Sequence, residues 1–270
     1  MSTLTYLSFF GLSLPPFDKE VGDADLWLPP SKQDVVDGLR EAAEERSCAL
    51  LLGDAGEGKT CLLRAVRHSL PPTQFRLTYC HNATLGKRDF YRQLCLALGL
   101  NPTATAASVF YAVTSHVREL GNERLHPVFL LDEAHLLQSD TLDHLHILLN
   151  YEWDSRALLS IFLIGLPDLL DRLSLRRHRS LLSRIHRRFV LTPITVDDTA
   201  DYLRTRLRRA GCDRDLFALE AIALIHEHTS GTLRDIDRLA TAALREAARK
   251  KHKTVTAELV QRLVEAGARS

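Results

Sequence analysis

Neither charge is in surplus in this chain: 35 Lys and Arg stand against 34 Asp and Glu, for a net charge of +1. That balance gives no global electrostatic case for a nucleic-acid partner, so any contact with a polyanion must come from local clusters. No apolar run approaches the roughly eighteen residues that a membrane span needs. The segment Met1 to Leu12 has no basic stretch and is broken by polar residues, unlike a secretory leader. The five cysteines, Cys48, Cys61, Cys80, Cys95 and Cys212, lack metal-ligand spacing, and the odd count leaves one unpaired. Three of them lie in apolar surroundings and read as reduced core residues, which favours a cytoplasmic protein. His126, His135, His144 and His146 also lack zinc-ligand spacing and read as surface or core residues. Internal repeats and low-complexity tracts are missing as well.

What is present is an ordinary globular composition, 45% apolar and 26% charged over 270 residues, enough for one large domain or two smaller ones. Its centre is the stretch Leu50-Leu-Leu-Gly53-Asp-Ala-Gly56-Glu-Gly58-Lys59-Thr60-Cys61. This fits G-x-x-x-x-G-K-[ST], the phosphate-binding loop. Ser47 to Leu52 is a short continuous apolar run, as in a strand buried on both faces. Leu62, Leu63, Val66 and Leu70 then follow at helical spacing. The glycines therefore sit on a strand-to-helix turn, where backbone N–H groups and the helix dipole favour phosphate oxygens. Gly53, Asp54, Ala55, Gly56, Glu57, Gly58, Lys59, Thr60 and Cys61 form the candidate nucleotide-binding set. Lys59 is placed to reach the β- and γ-phosphates of ATP, and the Thr60 hydroxyl to bind Mg²⁺.

Further strands are expected at 75–80, 127–131, 158–165 and 188–192, alternating with helices at about 31–46, 87–99 and 104–120. Ser31 with Asp34 reads as a capping box, and Gly99 and Gly121 as helix ends. This alternation predicts a parallel sheet with helices on both faces. After Pro193 only helical periods remain, at about 197–210, 215–229, 232–249 and 254–267. The expected organisation is an extended, aromatic and Pro-rich arm over 1–30 that packs on the main domain, an α/β nucleotide-binding domain over 31–193, and a helical lid over 194–270.

The strand through Leu131 ends in Asp132 and Glu133. An acid at the carboxyl end of a buried strand beside the loop strand can hold Mg²⁺ through water, the role expected of Asp132. The next acid, Glu133, can act as general base on the attacking water. The alternative is two acids capping the following helix. Residues 172–188 concentrate Arg172, Arg176, Arg177, Arg179, Arg184, Arg187 and Arg188. They read as a solvated face, as the source of an arginine finger, or as contacts to a nucleic-acid backbone. The candidate DNA contacts are Arg176, Arg177, Arg179, Arg187 and Arg188. A second basic patch, Arg249-Lys-Lys-His-Lys253, closes a lid helix.

Assembled, these motifs resemble an AAA+ ATPase, and within that class the ExeA-type branch, which groups secretion protein A with the ATPases of transposable elements. The resemblance rests on Phe10-Gly-Leu with Pro16-Phe17, Asp89-Phe-Tyr-Arg-Gln-Leu with Ala97-Leu-Gly-Leu100, and Leu131-Asp-Glu-Ala-His-Leu-Leu137. It continues through Leu148-Leu-Asn-Tyr-Glu-Trp-Asp-Ser155, Leu163-Ile-Gly-Leu-Pro-Asp-Leu169, Ser183-Arg-Ile185 and Ser230-Gly-Thr-Leu-Arg234. It implies a P-loop NTPase fold of the AAA+ kind, α/β with a small all-helical lid. It also implies Arg184 as the finger acting in trans and Arg234 as the lid arginine that senses the γ-phosphate. Where the family offers a polar side chain at the end of the 158–165 strand, this sequence has Gly165-Leu166, which implies slow hydrolysis accelerated by a partner. The secretion branch continues into a transmembrane helix and a wall-binding region, and this sequence ends at Ser270. The expectation is therefore a cytoplasmic helper of the TniB and TnsC type: an ATP-dependent ring or filament on double-stranded DNA that recruits or regulates a transposase, with no membrane insertion. The alternatives are an ATP-gated scaffold with little hydrolysis and an ATPase serving a secretion or envelope-assembly system.

Overall fold

The computed structural model of the chain describes residues 4–81, 86–101, 105–151 and 155–267. Residues 152–154 of the family-like run, residue 104 at the expected start of a helix, and the ends 1–3 and 268–270 of the expected domains lie outside the described residues. The chain divides into two compact units, one of residues 30–55 and 59–191, the other of 1–29, 56–58 and 192–270.

The first unit is built on five parallel strands: β1 (Cys48–Leu52), β2 (Phe75–Cys80), β3 (His126–Leu131), β4 (Ser160–Gly165) and β5 (Ile185–Val190), in the order β2-β3-β4-β1-β5. The three central strands are buried along their whole length, which is why they read as unbroken apolar runs. The order corrects one expectation: the strand ending in Asp132 does not lie beside the loop strand, because β4 runs between them, with Leu50 paired to Leu163 and Leu130 to Phe162. The edge strand β5 starts three residues before the expected 188–192. Its residues alternate between one face packed on the unit and one face in solvent, so its apolar signal is diluted.

Helices α2 (Pro30–Glu44), α3 (Lys59–Ser69), α4 (Lys87–Ala97), α5 (Ala106–Asn122), α6 (Ser139–Leu148), α7 (Asp168–Ser174) and α8 (Arg179–Leu182) complete the unit. Ser31 does not cap α2, which begins one residue earlier at Pro30, a residue suited to the first turn. Gly99 takes a left-handed φ of 74° after α4, as a terminating glycine should. Gly121 lies inside α5, and the left-handed residue that follows this helix is Arg124.

The second unit holds α9 (Val196–Arg209), α10 (Leu219–Thr229), α11 (Leu233–Arg249) and α12 (Ala257–Gly267). Thr195 and Asp198 form the capping box that starts α9, with reciprocal bonds of 3.0 and 3.1 Å. Residues 4–29 are neither an extended arm nor part of the α/β core. They form α1 (Leu4–Phe10), and Tyr6, Phe10, Leu12 and Phe17 are buried among Tyr202, Leu207, Phe217, Ile236 and Leu244 of the helical core. Tyr6 and Phe10 stand one helical turn apart and so share a face. Arg206 then fixes the following loop through the Pro16 carbonyl at 2.7 Å, and Arg214 holds the Phe10 carbonyl at 2.8 Å.

Within this core the Tyr202 hydroxyl donates to Asp237 at 2.6 Å. Burial nevertheless dominates and pushes the Asp237 carboxyl up to about 6, against the lowering pull of Tyr202 and Arg206. The folded value lies above the unfolded one, so the native state binds the extra proton in between. Its stability falls as pH rises through about 6. Asp237→Asn, which keeps an acceptor for Tyr202, is expected to stabilise the helical unit by about 2 kcal/mol at neutral pH. The gain should vanish as pH falls to the ordinary aspartate range. Thermal unfolding of both proteins across that range checks it.

Candidate functional site

The loop after β1 is tied to the neighbouring strand, the Gly53 N–H donating to the Gly165 carbonyl at 3.1 Å. Lys59, the first residue of α3, is buried, and its ammonium donates to the Gly53 and Asp54 carbonyls at 2.6 and 3.0 Å. Between them Gly56 and Gly58 adopt φ values of 94° and 92°, which L side chains rarely tolerate. Thr60 is exposed at the start of α3, Cys61 next along the helix is half-buried, and Glu57 is buried. The result is a loop closed on its own lysine at the amino end of a helix, where anions are favoured.

Asp132 follows β3 with 5% exposure. Its Oδ2 accepts from the Tyr79 hydroxyl at 2.7 Å and its Oδ1 from the Glu133 N–H at 2.9 Å. Burial first, then the hydrogen bond and charge of Asp132, push the Tyr79 phenol well up, so it remains a donor. Glu133 makes no capping hydrogen bond. Its φ is 54°, and its carboxylate turns toward His135 Nδ1, 3.5 Å away. A short 3-10 turn, Ala134–Leu136, follows in place of a regular helix. The guanidinium of Arg172, on α7, donates to the carbonyls of His135 and Leu137 and holds this turn. At the end of β4 the sequence offers Gly165, and the neighbouring space is filled: a Cβ there would stand 3.1 Å from the His135 N and 3.3 Å from its Nδ1. Sequence reasoning missed Tyr79, His135 and Arg172 as parts of this site. Its one clue was that His135 and Arg172 lie in segments singled out for other reasons.

Arg184 is not brought to these groups. Ile185 pairs with Cys48 at the beginning of β1, so Arg184 stands at the entry end of a parallel sheet. Lys59 and Asp132 stand at the exit end of β1 and β3. In the helical unit, which includes the loop apex Gly56–Gly58, Arg234 lies in the first turn of α11. A Cβ on Gly56 would meet Thr232 Cγ2 at 2.8 Å and Arg234 Cβ at 3.0 Å, so glycine is what permits this approach.

The arginine-rich segment separates by partner. Arg177 makes a forked contact with Asp143, whose carboxyl is held below its usual range chiefly by that bond. Arg187 bridges Glu41 of α2 and Glu45, the residue after that helix, at 2.8 and 2.7 Å. Arg176, Arg179 and Arg188 are exposed. Of the five candidate DNA contacts, two are thus already engaged within the unit.

Residues 41–173, which include the loop and both acids, match the family described as "AAA domain". The fold is that of the AAA+ P-loop proteins. The chain is 31% identical over 258 residues to general secretion pathway protein A of Aeromonas hydrophila, covering 94% of this chain and 47% of that protein. It therefore spans about half the length of this curated relative. Among solved structures, Drosophila ORC bound to DNA superposes with a TM-score of 0.70 at 19% identity, over 96% of this chain and 64% of that one. The Aeropyrum pernix ORC2 protein in its ADPNP–ADP complexes gives 0.66 at 15% identity, over 93% and 71%. Those two likenesses bear on the AAA+ fold alone. Among the described residues no helix is long and apolar enough to cross a membrane.

Proposed function

We propose that this AAA+ protein binds ATP with Mg²⁺ and hydrolyses it, and that the bound triphosphate drives assembly of copies on double-stranded DNA, where they recruit or regulate a transposase. The observation that carries the ATPase part is the placement of Lys59 and Asp132 at the exit ends of two strands that flank β4, with Glu133 next along the chain. The loop fits a triphosphate because two left-handed glycines open it and a buried ammonium closes it. A hydroxyl and a carboxylate, Thr60 and Asp132, are the hard oxygen donors that suit Mg²⁺. When bound, Mg²⁺ neutralises charge on the β- and γ-phosphates. Lys59 gives up a loop carbonyl to take a phosphate oxygen. Glu133 accepts a proton from water, and Arg234 reports the γ-phosphate from the lid. Arg184, at the opposite end of the sheet, acts on the nucleotide of a neighbouring copy, since its own is out of reach.

The DNA part is supported by Arg176, Arg179 and Arg188, exposed cations in a chain that is otherwise balanced in charge. Duplex DNA is expected to be retained on a filter with an ATP analogue and released by salt, as phosphate contacts require. Absence of ATP-dependent, salt-sensitive retention overturns the DNA part. A second reading, service to a secretion or envelope-assembly system, is favoured by the similarity to general secretion pathway protein A, and it would stand after that result.

A further inference from the structure

Glu133 is turned out of the regular backbone path. Its left-handed φ of 54° costs a non-glycine residue roughly 1–2 kcal/mol. The backbone there leads directly into the 3-10 turn, and together they bring side chains two residues apart to the same side, which a regular helix does not do. The side chain so met is His135, with its Nδ1 3.5 Å from Glu133 Oε2 and only 10% of the imidazole exposed.

The imidazole is itself held. The Leu166 N–H at the end of β4 lies 3.4 Å from the same Nδ1, and Arg172 grips the His135 carbonyl from α7. Gly165 leaves the slot in which the ring sits, since a Cβ there would crowd both the His135 backbone nitrogen and its Nδ1. Two tautomers divide the contacts: with its proton on Nδ1 the ring donates to Glu133, and with the proton on Nε2 it accepts from Leu166.

We propose that His135 is a positioning residue for Glu133, its Nδ1–H holding the carboxylate in the orientation from which it serves as base. This rests on the reading of Glu133 as general base. In that step a water proton passes to the Glu133 carboxylate, the water oxygen bonds to the γ-phosphorus, and the bond from that phosphorus to the β,γ-bridging oxygen breaks, leaving ADP and phosphate. His135 makes and breaks no covalent bond to the substrate. Its effect is on geometry alone, and misplacing a reacting group by an ångström can cost about 100-fold.

The test uses the full chain, with phosphate release read at saturating Mg²⁺-ATP and affinity read with a fluorescent ATP analogue. His135→Ala is expected to lower kcat roughly 10- to 100-fold with affinity within about twofold. Asn places an amide N–H near the position of Nδ1 and is expected to recover activity to within about threefold, whereas Gln, which extends to the position of Nε2, is not. In a Glu133→Gln background, His135→Ala should change kcat by less than about twofold, because residues acting as one unit are non-additive. The proposal is overturned by an unchanged kcat in His135→Ala, by equal loss in the Asn and Ala variants, or by a further loss in the Glu133→Gln background. If Glu133→Gln hydrolyses as fast as wild type, the base assignment and the positioning role fall together. If Glu133→Gln is slow and His135→Ala is not, only the positioning role falls.

Discussion

Glutamine at position 133 is expected to slow phosphate release by roughly 100-fold or more while leaving ATP affinity within about twofold. The two side chains have nearly the same shape, so the left-handed turn, the Asp132 bond to the residue-133 N–H and the packing of the His135 turn are retained. What is lost is the basicity of the carboxylate, an interaction needed only as the water is deprotonated. The charge near the phosphates also drops by one, which removes repulsion toward ATP and does not weaken binding. Phosphate release under saturating ATP, paired with equilibrium binding of a fluorescent analogue, separates the two quantities. Equal release rates for the two proteins would favour the ATP-gated scaffold over the hydrolase.

The parts of this site that were legible in the sequence are those encoded by short-range pattern. The loop announces itself through glycines and Lys59 at fixed offsets, and β1, β3 and β4 through apolar runs that only strands buried on both faces require. Strand order carries no such local signal, which is why β4 was not foreseen between β1 and β3. The first segment misled because prolines and aromatics suggest an extended path, whereas Tyr6 and Phe10 found their partners in helices some 200 residues later in the chain. The arginine cluster misled in the same way: its composition is visible, but Asp143, 34 residues from Arg177, and Glu41, 146 residues from Arg187, are brought to it only by folding. His135 was invisible as part of the site because its role follows from one left-handed φ at Glu133 and a glycine thirty residues away, neither of which a periodicity can show.

Gly231→Ala is expected to destabilise the helical unit by about 3 kcal/mol, far more than Gly11→Ala in the same unit, which should cost about 1 kcal/mol. Both glycines have left-handed φ values, 69° and 72°, so the backbone contribution is similar. Their surroundings differ. A Cβ at Gly11 meets nothing within 4 Å, whereas at Gly231 it would stand 2.4 Å from the Ile194 carbonyl oxygen and 3.2 Å from the Ile194 N. That neighbour is backbone, and the Ile194 N–H donates to the Gly231 carbonyl at 3.3 Å, so it cannot swing aside as a side chain would. Ser230 beside it is left-handed as well, at 49°, which leaves the turn between α10 and α11 little room to relax. The same turn sets where α11 begins, and so fixes Thr232 and Arg234 against Gly56. If Arg234 has the γ-phosphate role proposed for it, residual folded Gly231→Ala protein should lose ATP affinity as well as stability, whereas Gly11→Ala should keep it. Urea unfolding and analogue binding on both variants decide the matter: equal losses at the two glycines would mean that the close approach to Ile194, and the placement of Arg234 derived from it, does not govern this turn.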